Sequence, residues 1–365
     1  MRHITDMTQV PTQHSVEAAT DHGFDEGALQ AWLTQHVEGF AGPMTVTKFA
    51  GGQSNPTYKI STPGRSYVMR AKPGPSAKLL PSAHAVEREY TVMQALNGSD
   101  VPVPRMLAMC SDEAVIGRVF FIMEYVEGRV LWDPALPGMT PFERTAHYNE
   151  MNRVIADLHS VPFAERGLTS FGRPGNYLER QISRWEKQYR ASITQPIPEM
   201  DALLAWLPAN IPASGRDDKA CIVHGDFRLD NMIFHPTQPR VLAVLDWELS
   251  TLGHPLADFS YHCMVWHVEP TQSRGLEGLD LNVLGIPALD AYIASYCDRS
   301  GLTTPDVLRA DWAFYMAYNL FRLAAIGQGI AKRVEAGTAS SAQAKTAAAS
   351  AAPRAKRAWQ WAQQA

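Results

Sequence analysis

Three short apolar runs lie in a stretch whose surroundings are patterned for helix, and each abuts a polar residue. CIVHGD runs into Asp226, NMIF follows Asn231, and RVLAVLDWE runs into Asp246. Runs this short, bounded by turn residues, read as buried strands rather than helices. The Pro-bounded HPTQP joins NMIF to RVLAVLDWE as a hairpin. Strand ends that come together in space would place two carboxylates and an amide oxygen around one small volume. A purely helical chain has no place for such a device, so the expected class is α+β.

The remaining pattern is divided unevenly. Residues 1–23 show no periodicity and are expected to be a flexible leader. In FDEGALQAWLTQHV, Leu29, Trp32, Leu33 and Val37 recur at helical spacing behind Asp25, a plausible N-cap. Strands are expected in VTKFAGGQSNPTYKIST around Gly51-Gly52, in SYVMRAK, in VPVPRMLAMC and in RVFFIMEYV. The intervening SAHAVEREYTVMQALNG reads as a helix with Val86, Tyr90, Met93 and Leu96 on one stripe and Asn97-Gly98 at its C-cap. After Gly128 helical patterns dominate. The organisation expected is therefore two-lobed, with a small β-rich lobe over 24–126 and a larger helical lobe over 127–365. The tract 338–357, rich in Ala and Ser, reads as surface helix or linker.

With 365 residues and 45% hydrophobic content the chain can build a substantial core. Its formal net charge of -4 argues against a nucleic-acid or anionic-membrane partner. MRHITDMTQV lacks a signal-peptide core, and no run approaches the roughly 20 apolar residues of a membrane span. Cys110, Cys221, Cys263 and Cys297 follow no CxxC spacing and read as reduced thiols, consistent with a cytoplasmic location.

Asp226, then Asn231 after four intervening residues, then Asp246 at the next strand end follow the order of kinase-type phosphoryl transfer. Hard oxygen donors of this kind suit Mg²⁺, which completes its shell with water and phosphate. Any one of the three could be an ordinary turn or cap residue; together at this spacing they point to a site. The β-rich lobe supplies partners for a nucleotide. Strand alternation puts Val68, Arg70 and Lys72 on one face, so either cation could reach phosphates. Glu87 or Glu89 on the following helix could pair with that cation. Gly51-Gly52 with Ser54 and Asn55 could close a loop over phosphates. The extended backbone from Glu124 to Val126 could meet an adenine edge.

HGDFRLDN followed by LDWE resembles the signature of the aminoglycoside phosphotransferase and choline kinase family, and EREYTVMQAL-NGSD-VPVPRML resembles the same family's helix and strand. KLLPSAHAVEREY, HGDFRLDNMIFHP, VLDWELSTLGHPLADFSY and FRLAAIGQGIAKR resemble, more narrowly, the kinase-like domain fused to acyl-CoA dehydrogenases and its free-standing bacterial relatives. The resemblance covers roughly residues 25–335 and implies a bilobal protein-kinase-like fold. It implies Asp226 as the base facing an acceptor hydroxyl, Asn231 and Asp246 as magnesium ligands, and Glu89 as partner of the phosphate-binding cation. The family's lysine position falls on Arg70 here, which leaves the phosphate role between Arg70 and Lys72. His224 is implied to brace the catalytic loop.

The expectation is an ATP- and Mg²⁺-dependent kinase for a small-molecule alcohol. The narrower resemblance implies a hydroxy acid or hydroxyacyl-CoA acceptor. Lys332, Arg333, Lys345, Arg354, Lys356 and Arg357 gather towards the C-terminus and favour an anionic acceptor over a polycationic antibiotic. A nucleotide-binding pseudokinase, an aminoglycoside- or choline-type kinase, and a metal-dependent hydrolase built on His224 and Asp226 are the competing readings. His254, His262, Cys263 and His267 match no closed zinc spacing. Asp258 is expected to support the catalytic loop, and Trp312, Phe314, Tyr315, Tyr318 and Phe321 to be mostly core.

Overall fold

The computed structural model describes residues 16–17, 22–49, 55–74, 85–216, 219–270, 275–338 and 342–365. Gly51-Gly52 and Ser54 lie outside the described residues. The chain forms two compact units, Met1–Trp132 with Leu229–Leu249, and Asp133–Arg228 with Ser250–Ala365.

The first unit is built on a six-stranded antiparallel sheet of order β1-β2-β3-β4-β6-β5. Its strands are β1 (Val16–Glu17), β2 (Thr45–Phe49), β3 (Thr57–Ser61), β4 (Ser66–Ala71), β5 (Met106–Cys110) and β6 (Phe120–Glu124). Alternation separates two faces. Tyr58 and Ile60, Tyr67 and Met69, and Phe120 and Ile122 share a core with Leu29 and Leu33 of helix α1 (Glu26–His36). Trp32 of α1 meets Phe120 edge-on at 4.9 Å between ring centroids. As expected, Asp25 caps α1, accepting from Gly27 and Ala28 at 2.8 and 3.1 Å. Helix α2 (Val86–Leu96) covers the opposite face, where its Tyr90 lies 5.9 Å from Phe121. Val86, Met93 and Leu96 are buried and Tyr90 is half-buried, so the stripe read from the sequence is the packing face.

The expected hairpin forms. A three-stranded sheet of order β10-β9-β7 joins β7 (Arg129–Val130), β9 (Met232–Phe234) and β10 (Val241–Val244) in the first unit, while β8 (Cys221–Val223) belongs to the second. Gly128 is needed where β7 begins. A Cβ there would sit 2.4 Å from both the Ile233 Cγ2 and the Phe234 carbonyl oxygen.

In the second unit β8 pairs with β11 (Thr251–Gly253) among helices. These include α3 (Pro141–Ser160), α4 (Tyr177–Ala191), α5 (Pro198–Ala209), α6 (Ala213–Arg216) and α7 (Pro255–His262), and further on Leu289–Ser300 and the long helix Trp312–Glu335. Thr140 and Glu143 form a capping box at the start of α3. Trp312, Phe314, Tyr315, Tyr318 and Phe321 are buried, as core residues at helical spacing should be. The Ala/Ser tract is helical over Ala342–Ala349 and Ala351–Ala362, and Ala351, Ala355, Ala358 and Ala362 are buried. Small side chains let this helix approach the long one closely: a Cβ on Gly327 would lie 3.3 Å from that of Ala351. Among the described residues, no helix is long and apolar enough to cross a membrane.

The close approach at Gly128 generates a prediction. Gly128→Ala should lower thermal stability by about 1–3 kcal/mol, the usual cost of overpacking, because the obstacle is backbone that cannot rotate away. Gly64→Ala, with nothing within 4 Å of its Cβ, is the control. Equal melting temperatures for both variants would refute the packing argument.

Candidate active site

Arg70 sits on β4, opposite Thr57 and Phe121, on the sheet face that α2 covers. Glu87 and Glu89 are two residues apart on α2, so they point about 200° apart and only one can face the sheet. That one is Glu89, whose side chain is 1% exposed. Arg70 Nε lies 2.8 Å from Glu89 Oε2, although its N–H is poorly aligned with that oxygen, so the contact is an ion pair more than a directed hydrogen bond. Asn55 Nδ2 donates to Glu89 Oε1 at 2.9 Å. Lys72, just past the end of β4, instead pairs with Glu87 in a more exposed position. The open choice between the two cations thus resolves, as a matter of pairing, into a buried Arg70–Glu89 pair and an outer Lys72–Glu87 pair.

Arg70 also reaches Asp246, with Nη2 3.0 Å from Oδ1, and more distantly Glu248 at 3.8 Å. Three carboxylates therefore share one guanidinium. Burial pushes the Glu89 carboxyl up to about 7; Arg70 opposes this, and the charges of Asp246 and Glu248 add to it. Burial works against the Arg70 cation, but the surrounding carboxylates outweigh it and raise its pKa.

The hairpin positions Asn231 and Asp246. Met232 pairs with Val244, and the Leu245 N–H donates to the Asn231 carbonyl at 2.8 Å. Both residues thus lie just beyond the last pair at the same end of the ladder. Asn231 closes a 3-10 turn over Leu229–Asn231 and is buried. Asp246 has φ +65°, a left-handed conformation that Asp and Asn tolerate better than other side-chain residues. The next residue, Trp247, is buried and donates its Nε1–H to the Val244 carbonyl at 2.9 Å, pinning the turn. An amide and a carboxylate at adjacent strand ends are hard donors that fit Mg²⁺.

At the end of β6, Glu124 is tied to Arg105: its N–H donates to the Arg105 carbonyl at 3.0 Å and its carboxylate accepts from the Arg105 N–H at 2.9 Å. Val126 follows, half-buried.

In the second unit, Asp226 follows β8 across Gly225, whose φ is +81°. The Asp258 carboxylate on α7 accepts from the backbone N–H of His224 and of Gly225, each at 2.8 Å. His159 lies 3.3 Å from the same carboxylate, and its other ring nitrogen is 2.7 Å from the Tyr296 hydroxyl. Burial would raise the Asp258 pKa, but the His159 hydrogen bond and charge and the His224 contacts hold it below the usual value. The His224 ring Nδ1 accepts the Asp226 N–H at 3.1 Å, so His224 and Asp258 both brace the loop.

The Asp226 carboxylate has partners that sequence reasoning missed. Tyr261 donates its hydroxyl to Oδ1 at 2.5 Å, and Arg228 Nε lies 3.1 Å from that oxygen. Arg322 Nη2 donates to the Gly225 carbonyl at 2.5 Å. Burial raises the Tyr261 phenol, so it stays protonated and donating. Two of the tempting histidines are occupied: His262 Nε2 is 2.7 Å from the Tyr292 hydroxyl, and His267 accepts from Trp312 Nε1 at 3.0 Å. Burial lowers both imidazoles to about 4, so they are neutral. Among the described residues, no three His, Cys, Asp or Glu side chains are grouped to hold a metal.

Residues 45–310 match the model of the phosphotransferase enzyme family. The chain belongs to that family. It is 48% identical over 306 residues to acyl-CoA dehydrogenase family member 10 of Mus musculus, a match covering 83% of this chain and 28% of that protein. The chain thus spans under a third of that relative. A crystal structure from Ralstonia eutropha, provisionally assigned as an aminoglycoside phosphotransferase, is 58% identical with TM-score 0.85, covering 93% of this chain and 99% of that one. The aminoglycoside phosphotransferase APH(4)-Ia, solved with AMP-PNP and hygromycin B, shares the fold at 14% identity and TM-score 0.58, covering 92% and 98%. The fold is accordingly the α+β, protein-kinase-like fold expected from the sequence.

The Arg70 cluster predicts a pH-dependent defect. Arg70→Met leaves Glu89 buried without its counter-charge, and breaking a buried pair typically costs about 3–5 kcal/mol. A carboxyl whose folded pKa is raised loses stability as pH climbs from its unfolded value through the folded one. Arg70 lowers the Glu89 pKa, so its loss raises that carboxyl further: the gap between parent and variant should be small below about pH 7, where both hold Glu89 protonated, and should widen as pH rises above it. Thermal melts of parent and variant across pH 5.5–8.5 measure it, and a pH-independent gap would exclude Glu89 as the origin.

Proposed function

We propose that this phosphotransferase moves the γ-phosphoryl group of ATP to the hydroxyl of a small-molecule alcohol, with Mg²⁺. The observation that carries this is the hairpin end, where Asn231 and a left-handed Asp246 lie together with Arg70 against Asp246. Arg70, oriented by Glu89, is suited to hold phosphate oxygens in a bidentate way. Asn231 and Asp246 would hold the metal, which when bound supplies charge neutralisation for the phosphates. The backbone from Glu124 to Val126 is the proposed adenine contact, and Asn55 supports Glu89 from the loop side.

In the reaction the γ-phosphorus parts from the bridging oxygen of ADP and bonds to the acceptor oxygen. The hydroxyl proton goes to the Asp226 carboxylate. Tyr261 and Arg228 fix the orientation of that carboxylate through its Oδ1. The AMP-PNP complex of APH(4)-Ia supports an adenine nucleotide as donor. Similarity to part of an acyl-CoA dehydrogenase family protein supports a hydroxy acid or hydroxyacyl thioester as acceptor.

An ATP-consumption screen over hydroxyacyl-CoAs, free hydroxy acids, aminoglycosides, choline and sugars tests the reading. Asp226→Asn should then reduce product formation about 100- to 10,000-fold, the usual weight of a general base, with nucleotide affinity by calorimetry little changed. Near-parental phosphorylation by that variant would remove Asp226 from the role. Separately, folded Asp246→Ala should lose Mg²⁺-supported turnover, and parental turnover would refute the metal assignment.

A further inference from the structure

Arg322 is buried on the long helix Trp312–Glu335, and among the described residues it forms no ion pair. Removing a guanidinium from water without a carboxylate is costly, so the contacts it does make have to offset that cost. The first is to a single peptide group. Arg322 Nη2 donates to the Gly225 carbonyl at 2.5 Å, and the N–H of that same peptide, which belongs to Asp226, donates to His224 Nδ1 at 3.1 Å. The Gly225–Asp226 peptide is thus held at both its oxygen and its nitrogen. Because a peptide group is planar and rigid, this also fixes the Cα from which the Asp226 side chain departs. The second contact is to Tyr261. The Arg322 guanidinium lies over its ring at 5.0 Å from the centroid, with the Trp185 ring at 5.7 Å, and the Tyr261 hydroxyl donates to Asp226 Oδ1 at 2.5 Å. Attraction between a cation and a ring face seats the phenol that aims the carboxylate. Arg322 therefore meets the main-chain and the side-chain support of Asp226 together, with no ion pair to the carboxylate itself among the described residues.

We propose that Arg322 is the positioning residue of the base: one guanidinium seats the Gly225–Asp226 peptide and the Tyr261 ring at once, and so sets where the Asp226 carboxylate meets the acceptor hydroxyl. This rests on the reading of Asp226 as the base. Arginine suits the task because its planar fork donates from the edge while its flat face lies on a ring, whereas an ammonium is a point charge that serves one contact at a time. Both contacts end on the supports of Asp226, so Arg322 bears on the chemical step and not on affinity.

The intact chain would be compared with Arg322→Met, Arg322→Lys, Asp226→Asn and the two Arg322/Asp226 double variants, each shown folded by thermal melt and supplied with ATP and Mg²⁺. Turnover is read with water as acceptor, as phosphate release, and with the fastest acceptor of the screen above. Arg322→Met should lower kcat about 100-fold, as misplacing a reacting group by about 1 Å can, while KM for ATP and AMP-PNP affinity by calorimetry stay close to the parent's. Arg322→Lys, which keeps the charge but cannot make both contacts together, should fall between the two. In the Asp226→Asn background either change should cost little more, because residues that act through one group are not additive. Should Arg322→Met not fold, Arg322→Lys carries the same comparisons. Parental kcat in the folded Arg322 variants, a loss confined to KM or to melting temperature, or a full further loss on top of Asp226→Asn overturns the positioning role and leaves Asp226 as the base. Turnover indifferent to Asp226→Asn removes the base and the positioning role with it.

Discussion

A carboxylate enclosed by protein stays ionised only if something answers its charge, and Asp258 is answered by backbone. Two consecutive N–H groups, from His224 and Gly225, converge on it, with His159 beside them. Because the groups held are main-chain, the shape of the loop is fixed one residue before Asp226, independently of what Asp226 does. Arg322 grips the same loop through the carbonyl of Gly225. The Asp226 side chain is therefore carried on a braced support, and its own hydrogen-bonding capacity is directed towards Tyr261 and Arg228.

The first unit solves the complementary problem with an excess of negative charge. Arg70 is one cation among Glu89, Asp246 and Glu248. Burial raises the Glu89 carboxyl, and the charges of Asp246 and Glu248 add to that rise against the pull of Arg70. The left-handed turn at Asp246 adds local strain. The chemistry that disturbs local stability is the chemistry that would welcome a divalent ion bearing phosphate.

Much of this was legible because short-range rules govern it. The Asp25 cap, the stripe on α2 and the hairpin around HPTQP follow from periodicity and turn chemistry, which neighbouring residues do not override. The motif spacing marked Asp226, Asn231 and Asp246. The choice between Glu87 and Glu89 was not legible from spacing, since both suit a helix and only the rotation of α2 against the sheet decides it. Tyr261 and Arg322 escaped because a tyrosine or arginine on a helix ordinarily means packing or solvation, and Arg228 because an arginine in a loop ordinarily means solvation. The one available signal was that Tyr261 lies on the same short helix as Asp258, three residues on. The alanine tract was ambiguous because alanine favours helix without declaring a partner; Gly327 supplies the partner.

The membership of Leu229–Leu249 in the first unit bears on how the chain is made. β7 has its sheet neighbour in β9, which the ribosome adds only after α3, α4 and α5 have emerged. N-terminal domains usually fold first during synthesis, but here the first unit must wait with an open edge until nearly half of the second has been translated. Closing so long a loop before its contacts reward it slows assembly. The nascent chain therefore passes through an interval in which its six-stranded sheet is available while the segment bearing Asn231 and Asp246 is still missing, and that segment is the last part of the unit to be made.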